Sequence, residues 1–483
     1  MLEIGSILKK VQGKQVYLVG IKGTGMAALA EILLSRGALV QGSDVSQVFF
    51  TDSVLAELKI PVHQGFSENN LGSKGSPLPQ LIIYSAAYRL DTHPELMRAA
   101  QLKIPMAGYH EALGALSQGY ISAGVAGVHG KTTTTALCGV VAQGLGLPAT
   151  ILTGSTVPRF GNRATLNLGA TYFIAETCEY RRHFLSFHPS HILLTSVEPD
   201  HLDYFTGFED IQKAFIEYIL LLPQKGSLVY CHDDEGARET ALLVAKKRPD
   251  VILIPYGFTA PGPYALQEAT QEPGLLSFYL EGFFTRWNVR VPGEHNMLNA
   301  AGAIALCHQL VKHHRDDWGS TDLQWAKEAL EQFTGTRRRS ELLGEKFGVL
   351  VMDDYGHHPT AIRKTIEGIK AFYPDRRLVV DFMSHTYSRT SALLEEFSRS
   401  FDSADEVVLH KIFASAREEP LEGINGQTLF KATCQHHTHV KYFEEVMEAL
   451  PYYKQSLKSG DLLLTMGAGN NYEVAKAWLK EEA

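Results

Sequence analysis

Lys131 follows a glycine turn, Gly127-Val128-His129-Gly130, and precedes Thr132 and Thr133. A run of small apolar residues, Ile121 to Ala126, leads in, and a helical pattern through Leu137 and Val140 leads away. A buried strand feeding a glycine turn that opens a helix points several backbone N–H groups at one spot, where they and the helix dipole hold phosphate. Lys131 adds a mobile positive charge, and Thr132 or Thr133 can offer a hydroxyl to a magnesium ion, as the last position of a P-loop does. The general pattern wants its first glycine where Val125 stands, and the nearest glycines are Gly124 and Gly127, so the motif is a shortened P-loop. The bland alternative is a glycine turn ahead of a solvated lysine. Binding of ATP with Mg2+ is the expectation, with Gly127, His129, Gly130, Lys131, Thr132 and Thr133 around the phosphates.

Carboxylates recur at the ends of later strand-like runs. Tyr172 to Ala175 ends at Glu176, and Ile192 to Leu194 runs into Thr195-Ser196-Val197-Glu198-Pro199-Asp200-His201-Leu202-Asp203. Each acidic residue alone reads as a solvated loop residue. Together, beside a phosphate loop in a parallel sheet, they suit a magnesium ion, and a neutral His201 can complete the site. His295, Asn296 and Asn299 share one turn of an alanine-rich helix through Leu310. Asn296 and Asn299, at i and i+3, lie on one face and can meet a purine edge, or simply cap the helix. Arg337-Arg338-Arg339 precedes the strand Val349 to Met352, from where an arginine can reach a γ-phosphate. That strand ends in Asp353-Asp354-Tyr355-Gly356-His357-His358-Pro359.

These groups need elements to hold them. Gln15 to Val19 is a short β-type run, followed by Gly20-Ile21-Lys22-Gly23-Thr24-Gly25 and a helix pattern from Met26 to Leu34. This starts a Rossmann-like βαβ unit, with Lys22 where the dinucleotide fingerprint wants its second glycine. Asp44, after the run Leu39 to Ser43, stands where an acidic residue accepts a ribose hydroxyl. Leu81 to Tyr84 ends in Ser85-Ala86-Ala87, small residues that let a ligand approach. Further strands are expected at Leu228 to Cys231, Val251 to Ile254, Leu276 to Leu280 and Arg286 to Val291. A loop is expected from Val311 to Ser320 and a helix from Asp322 to Phe333. Beyond it, Leu378 to Val380, Val407 to Leu409 and Leu462 to Thr465 alternate with helical patterns, as in a further α/β domain.

The 483-residue chain exceeds one core, and about two to four domains are expected. A net charge of -8 without an extended basic block argues against nucleic acid as a partner. Met1 to Lys14 does not read as a signal peptide, and no run is apolar enough to span a bilayer, so a cytoplasmic location is expected. Cys138, Cys178, Cys231, Cys307 and Cys434 lack metal-type spacing and read as reduced, mostly buried thiols.

Taken together the motifs resemble one family, the Mur ligases of peptidoglycan synthesis. The resemblance rests on Gly20 to Met26 with Gly42-Ser43-Asp44, Ala126 to Thr134, Glu176-Thr177-Cys178-Glu179-Tyr180-Arg181 and Asp200-His201-Leu202-Asp203-Tyr204. It continues through Gly293 to Ala300, Arg337 to Arg339, Asp353 to Pro359, His385 to Arg389 and Ser415-Ala416-Arg417-Glu418. It implies an α/β chain of three domains. The first, 1-118, is a Rossmann-like domain for a UDP substrate; 119-333 is a P-loop-type ATPase domain with a mixed sheet; 334-483 is a Rossmann-like domain that closes over ATP. The implied chemistry is amide formation: ATP phosphorylates a carboxylate to an acyl phosphate, an amine attacks, and the tetrahedral intermediate loses phosphate.

By the same resemblance Glu176 and His201 hold magnesium with Thr132 or Thr133. Asn296 meets adenine, Arg339 or Arg338 the γ-phosphate, and Asp354 the ribose or phosphates. His385 and Arg389 face the substrate near the amino acid, and Gly20, Gly23, Gly25, Asp44 and Ser85 bind the UDP substrate. The stretches around Cys178 and His385 look like the branch that adds L-alanine to UDP-N-acetylmuramate, as a monomer or homodimer. The alternatives are the recycling branch, which attaches an intact peptide to the same nucleotide sugar, and a non-catalytic nucleotide sensor. Lys22, Ser196 and Thr386 depart from the family pattern, Lys22 bearing most on diphosphate binding.

Overall fold

Five short strands, β1 (Gln15–Val19), β2 (Leu39–Asp44), β3 (Val62–Gln64), β4 (Leu81–Tyr84) and β5 (Met106–Gly108), pair in the order β3-β2-β1-β4-β5. Every pairing is parallel. Such a sheet is covered on both faces and needs apolar residues at successive positions; Val16 to Val19 are all buried. The order reverses between β1 and β4, the place where ligands meet the carboxyl ends of an open sheet. Gly20 and Ser85 stand there, and the Ser85 N–H donates to Val19 O at 3.0 Å.

The second sheet comprises β6 (Ile121–Ala126), β7 (Ala149–Val157), β8 (Arg163–Asn167), β9 (Tyr172–Glu176), β10 (His191–Leu194), β11 (Ser227–Cys231) and β12 (Ile252–Tyr256). Its order is β12-β11-β10-β6-β9-β7-β8, parallel except for the antiparallel β7–β8 pair. β6 is central, with Val125 opposite Glu176 of β9 and Ala126 opposite Leu194 of β10. That register brings the loops after three strands to the mouth of the glycine turn. β7 and β8 are additions to the sequence expectation. Polar residues interrupt both, and their register slips between Leu152 and Val157, so neither offers a clean apolar run.

A three-stranded sheet, β13 (Leu266–Glu272), β14 (Leu275–Leu280) and β15 (Phe283–Val289), follows. The last sheet holds β16 (Glu341–Lys346), β17 (Val349–Asp354), β18 (Arg377–Phe382), β19 (Glu406–Leu409), β20 (Val440–Tyr442) and β21 (Asp461–Met466). Its order is β16-β17-β21-β18-β19-β20, with only β16–β17 antiparallel. Helices outside the expectation include Leu2–Lys9.

This computed structural model describes residues 2–72, 77–201, 204–312, 317–414, 418 and 420–481. Part of the loop expected at Val311 to Ser320, namely 313–316, lies outside them, as do Leu202, Asp203, Ser415, Ala416 and Arg417. The chain forms two compact units: Met1–Gln267, Tyr279–Arg286 and Leu298–Leu330, and Glu268–Phe278, Trp287–Met297 and Glu331–Ala483. Cys138, Cys231 and Cys307 are buried; Cys178 and Cys434 are exposed. Among the described residues no helix is long and apolar enough to cross a membrane.

Candidate active site

The glycine turn joins β6 to the helix Lys131–Gly144, whose N-cap is Gly130 at φ 81°. A Cβ at Gly130 would stand 2.7 Å from Asn299 Oδ1, so both backbone conformation and space call for glycine. Asn299, on the helix Glu294–Lys312, accepts a hydrogen bond from Thr134 Oγ1 at 3.1 Å. Its amide oxygen thus faces the glycine turn. The loop is braced on its other side by the segment after β10. Val128 N–H donates to Ser196 O and His129 N–H to Ser196 Oγ, at 3.1 and 2.9 Å. His129 Nε2 lies 3.1 Å from Glu198 Oε1.

Lys131 Nζ folds back over its own loop, donating to Gly127 O and Val128 O, and pairs with both Glu179 carboxylate oxygens at 3.0 and 3.1 Å. Glu179 is 1% exposed and also takes His201 Nε2 at 3.4 Å. Burial alone would discharge this group of side chains; mutual attraction outweighs it. Burial pulls the Lys131 pKa down, but the carboxylates, chiefly Glu179, raise it above its ordinary value. Burial pushes Glu179 up, but Lys131 and His201 hold it below the ordinary carboxylate value. His201 follows Lys131: desolvation lowers it, and Glu179 with Asp200 leaves it raised. Its backbone is left-handed, at φ 51°.

Thr132 Oγ1 donates to Glu176 Oε2 at 2.8 Å, and that oxygen also accepts Gly154 N–H at 2.8 Å. Thr133 is buried. Among the described residues no cluster of three or more His, Cys, Asp or Glu side chains stands ready to hold a metal. What the loop presents is a hydroxyl beside a carboxylate, hard oxygen donors of the kind magnesium takes when phosphate oxygens and water fill the rest of its shell.

At the first sheet Asp44 is buried and occupied: Oδ2 accepts Lys22 N–H at 2.7 Å and Oδ1 accepts Val45 N–H at 2.8 Å. Lys22, expected to bear on a diphosphate, is 2% exposed and turned away from the turn. Its ammonium ties Val45 O, Gln47 O and Asp52 at 3.0, 2.9 and 3.1 Å. Gly23 leads into the helix Thr24–Ser35 as its N-cap, and a Cβ at Gly25 would meet the Tyr109 hydroxyl at 2.9 Å.

In the other unit Asn296 Nδ2 donates to Pro292 O at 2.7 Å. Burial presses the His295 pKa down to about 4, against the pull of Asp354, so the ring is neutral. Asp354 accepts Ser340 N–H and Gly356 N–H at 2.6 and 2.7 Å. Arg338 is held by Asp353 at 2.9 Å and by Gly467 O at 2.7 Å, while Arg339 lies over the Tyr355 ring at 5.4 Å. His385 stacks on Phe413 at 6.0 Å, and Arg389 sits in the helix Tyr387–Ala392, whose first N–H groups bind Glu418 at 2.7 and 2.9 Å. Glu179, which meets both Lys131 and His201, has no role in the sequence pattern; its one signal there is that it is a second carboxylate three residues past Glu176, just beyond the strand's end.

Three family models match the chain: "Mur ligase family, catalytic domain" over 15–121, "Mur ligase middle domain" over 125–307 and "Mur ligase, glutamate ligase domain" over 338–469. The chain is 50% identical over 481 residues to a UDP-N-acetylmuramate--L-alanine ligase of Treponema pallidum, covering 99% of each. It is 39% identical over 473 residues to the protein of that name from Desulfitobacterium hafniense, covering 96% of this chain and 98% of the other. Among solved structures it shares a fold with a UDP-N-acetylmuramate-alanine ligase of Thermotoga maritima, at TM-score 0.76 and 23% identity over 96% and 98% of the two chains. A murein peptide ligase of Psychrobacter arcticus follows at TM-score 0.66 and 22% identity over 98% and 100%.

Proposed function

The chain belongs to the Mur ligase family, and we propose that it joins L-alanine to the lactyl carboxylate of UDP-N-acetylmuramate through an acyl phosphate, releasing ADP and phosphate. This is the first amino-acid addition in peptidoglycan precursor synthesis, placed in the cytoplasm. The observation that carries the reading is the 50% identity, over 99% of both chains, to a relative named for that reaction.

The reaction brings a carboxylate against a γ-phosphate, so cations must lie where the two anions meet. Lys131 exchanges Glu179 for the β- and γ-phosphates, which the N–H groups of Gly127, Gly130 and Thr133 cradle, with the His129 side chain beside them and its N–H bracing the loop on Ser196. Thr132, Glu176 and His201 would hold Mg2+, which when bound would supply charge neutralisation for the phosphate oxygens. Glu179 retains His201 when Lys131 departs, and so keeps that ring oriented. Arg339, with Arg338, serves the γ-phosphate; His295, Asn296, Asn299 and Asp354 serve adenosine; His385 and Arg389 serve L-alanine. Gly20, Gly23, Gly25, Asp44 and Ser85 serve the UDP moiety. The division of labour is 1-118 for the UDP substrate, 119-333 for ATP and 334-483 for the amino acid.

The test is phosphate release with ATP, Mg2+, UDP-N-acetylmuramate and a panel of amino acids. Release with L-alanine is expected. Strong turnover only with a tripeptide points to the recycling ligase, and ATP binding without release under any condition to a non-catalytic sensor.

A further inference from the structure

Tyr88 covers the glycine turn of the first sheet. Gly20 has φ 82°, and a Cβ built there would stand 2.6 Å from Tyr88 Cε2, so the phenol ring lies flush on the turn. Burial, and after it the nearby Asp44 and Glu95 carboxylates, push the Tyr88 pKa up to about 12. Tyr88 therefore covers, with the protein's own side chain, the turn next to the carboxylate proposed to take a ribose hydroxyl.

Beneath it lies a second oddity. His93 is 6% exposed, and neither ring nitrogen has a hydrogen-bond partner among the described residues. It sits in a three-ring cluster, 4.5 Å from Phe66 and 4.9 Å from Tyr88, with Phe66 and Tyr88 also 4.9 Å apart. A buried imidazole without partners forgoes hydrogen bonds that water would supply. A phenylalanine would fill the same space without that cost.

We propose that Tyr88 is a displaceable cap on a latent nucleoside pocket, and that a uridine nucleotide swings it aside, takes its place beside Asp44 and hydrogen-bonds His93. The inference rests on the reading that this sheet binds the UDP moiety. Because the cap must open first, apparent affinity is reduced by the fraction of molecules already open.

The experiment is calorimetric titration of the full chain with UDP alone, alongside ADP as a control and a melting curve for each variant. Tyr88→Phe keeps the ring packing and drops the hydroxyl; it is expected to bind UDP about three- to tenfold more tightly. His93→Phe fills its niche without nitrogens and is expected to bind UDP about tenfold more weakly, with ADP affinity unchanged in both. UDP affinities in both variants equal to wild type, or weaker binding by Tyr88→Phe, overturn the proposal. Should His93→Phe not fold, Tyr88→Phe alone decides. Failure of the ligase reading looks different: wild type then binds no UDP-N-acetylmuramate and releases no phosphate.

Discussion

Lys131 Nζ lies 3.0 Å from the carboxylate of Glu179, a residue 1% exposed, and both groups are charged. The cation that follows the glycine turn is thus neutralised by an internal anion and held over its own loop. In the proposed reaction that pairing pre-aims Lys131, and a stronger anion would take the place of Glu179.

Lys131→Ala is expected to lower phosphate release by more than about 100-fold, with the dissociation constant for UDP-N-acetylmuramate within about twofold of wild type, because the proposed division of labour gives the nucleotide sugar to the first sheet. Single-turnover kinetics and calorimetry measure the two. Equal losses in both would contradict separate sites.

Removing one partner of a buried pair strands the other. Lys131→Met leaves Glu179 with only His201, and about 3 to 5 kcal/mol of unfolding free energy should be lost in urea titrations. Glu179→Gln should cost less, since Lys131 keeps the carbonyls of Gly127 and Val128. The double variant should cost less than the sum.

Gly130→Ala combines a left-handed φ of 81° with a Cβ 2.7 Å from Asn299 Oδ1. ADP affinity should fall at least about tenfold as the loop shifts, with strain of about 1 to 2 kcal/mol in thermal unfolding. Wild-type ADP affinity would show that the loop has another acceptable arrangement.

Magnesium removal should separate the ligands. With excess EDTA, phosphate release is expected to stop while UDP binding persists. Thr132→Val, which drops the hydroxyl beside Glu176, should raise the Mg2+ concentration needed for half-maximal turnover. An unchanged requirement would remove Thr132 from the metal site.

A pH signature is expected from a buried pair away from the phosphate loop. His410 Nε2 donates to Asp381 Oδ2 at 2.9 Å and Nδ1 to Phe443 O at 3.1 Å, an arrangement that needs both nitrogens protonated. Burial lowers the His410 pKa, but Asp381 outweighs it and leaves it raised. The stability from that raised pKa is complete below the unfolded value of about 6.5 and is lost as pH rises through the folded one. The gap in unfolding free energy between wild type and His410→Gln should therefore be widest near pH 6 and narrow toward pH 9. A constant gap would mean that His410 is neutral in the fold.

Much of the architecture was legible because parallel strands buried on both faces leave apolar runs. Leu81–Tyr84 and Ile121–Ala126 begin and end where the sequence places them. β7, β8 and β13 were not, since edge and hairpin strands mix polar and apolar residues without a clear period. Glycine spacing singled out the turn that opens the helix at Lys131, and strand ends singled out Glu176 and His201, which contact Thr132 and Glu179.

Sequence alone determined the kind of chemistry: residue types at short spacing around Lys131 are a local property, set by one turn and the strand and helix beside it. Only the tertiary structure decided who holds whom. Glu179 meets both Lys131 and His201, Lys22 spends its charge inside the fold, and Tyr88 sits on Gly20. Those partners are brought together by the order of strands in a sheet, which no spacing along the chain encodes.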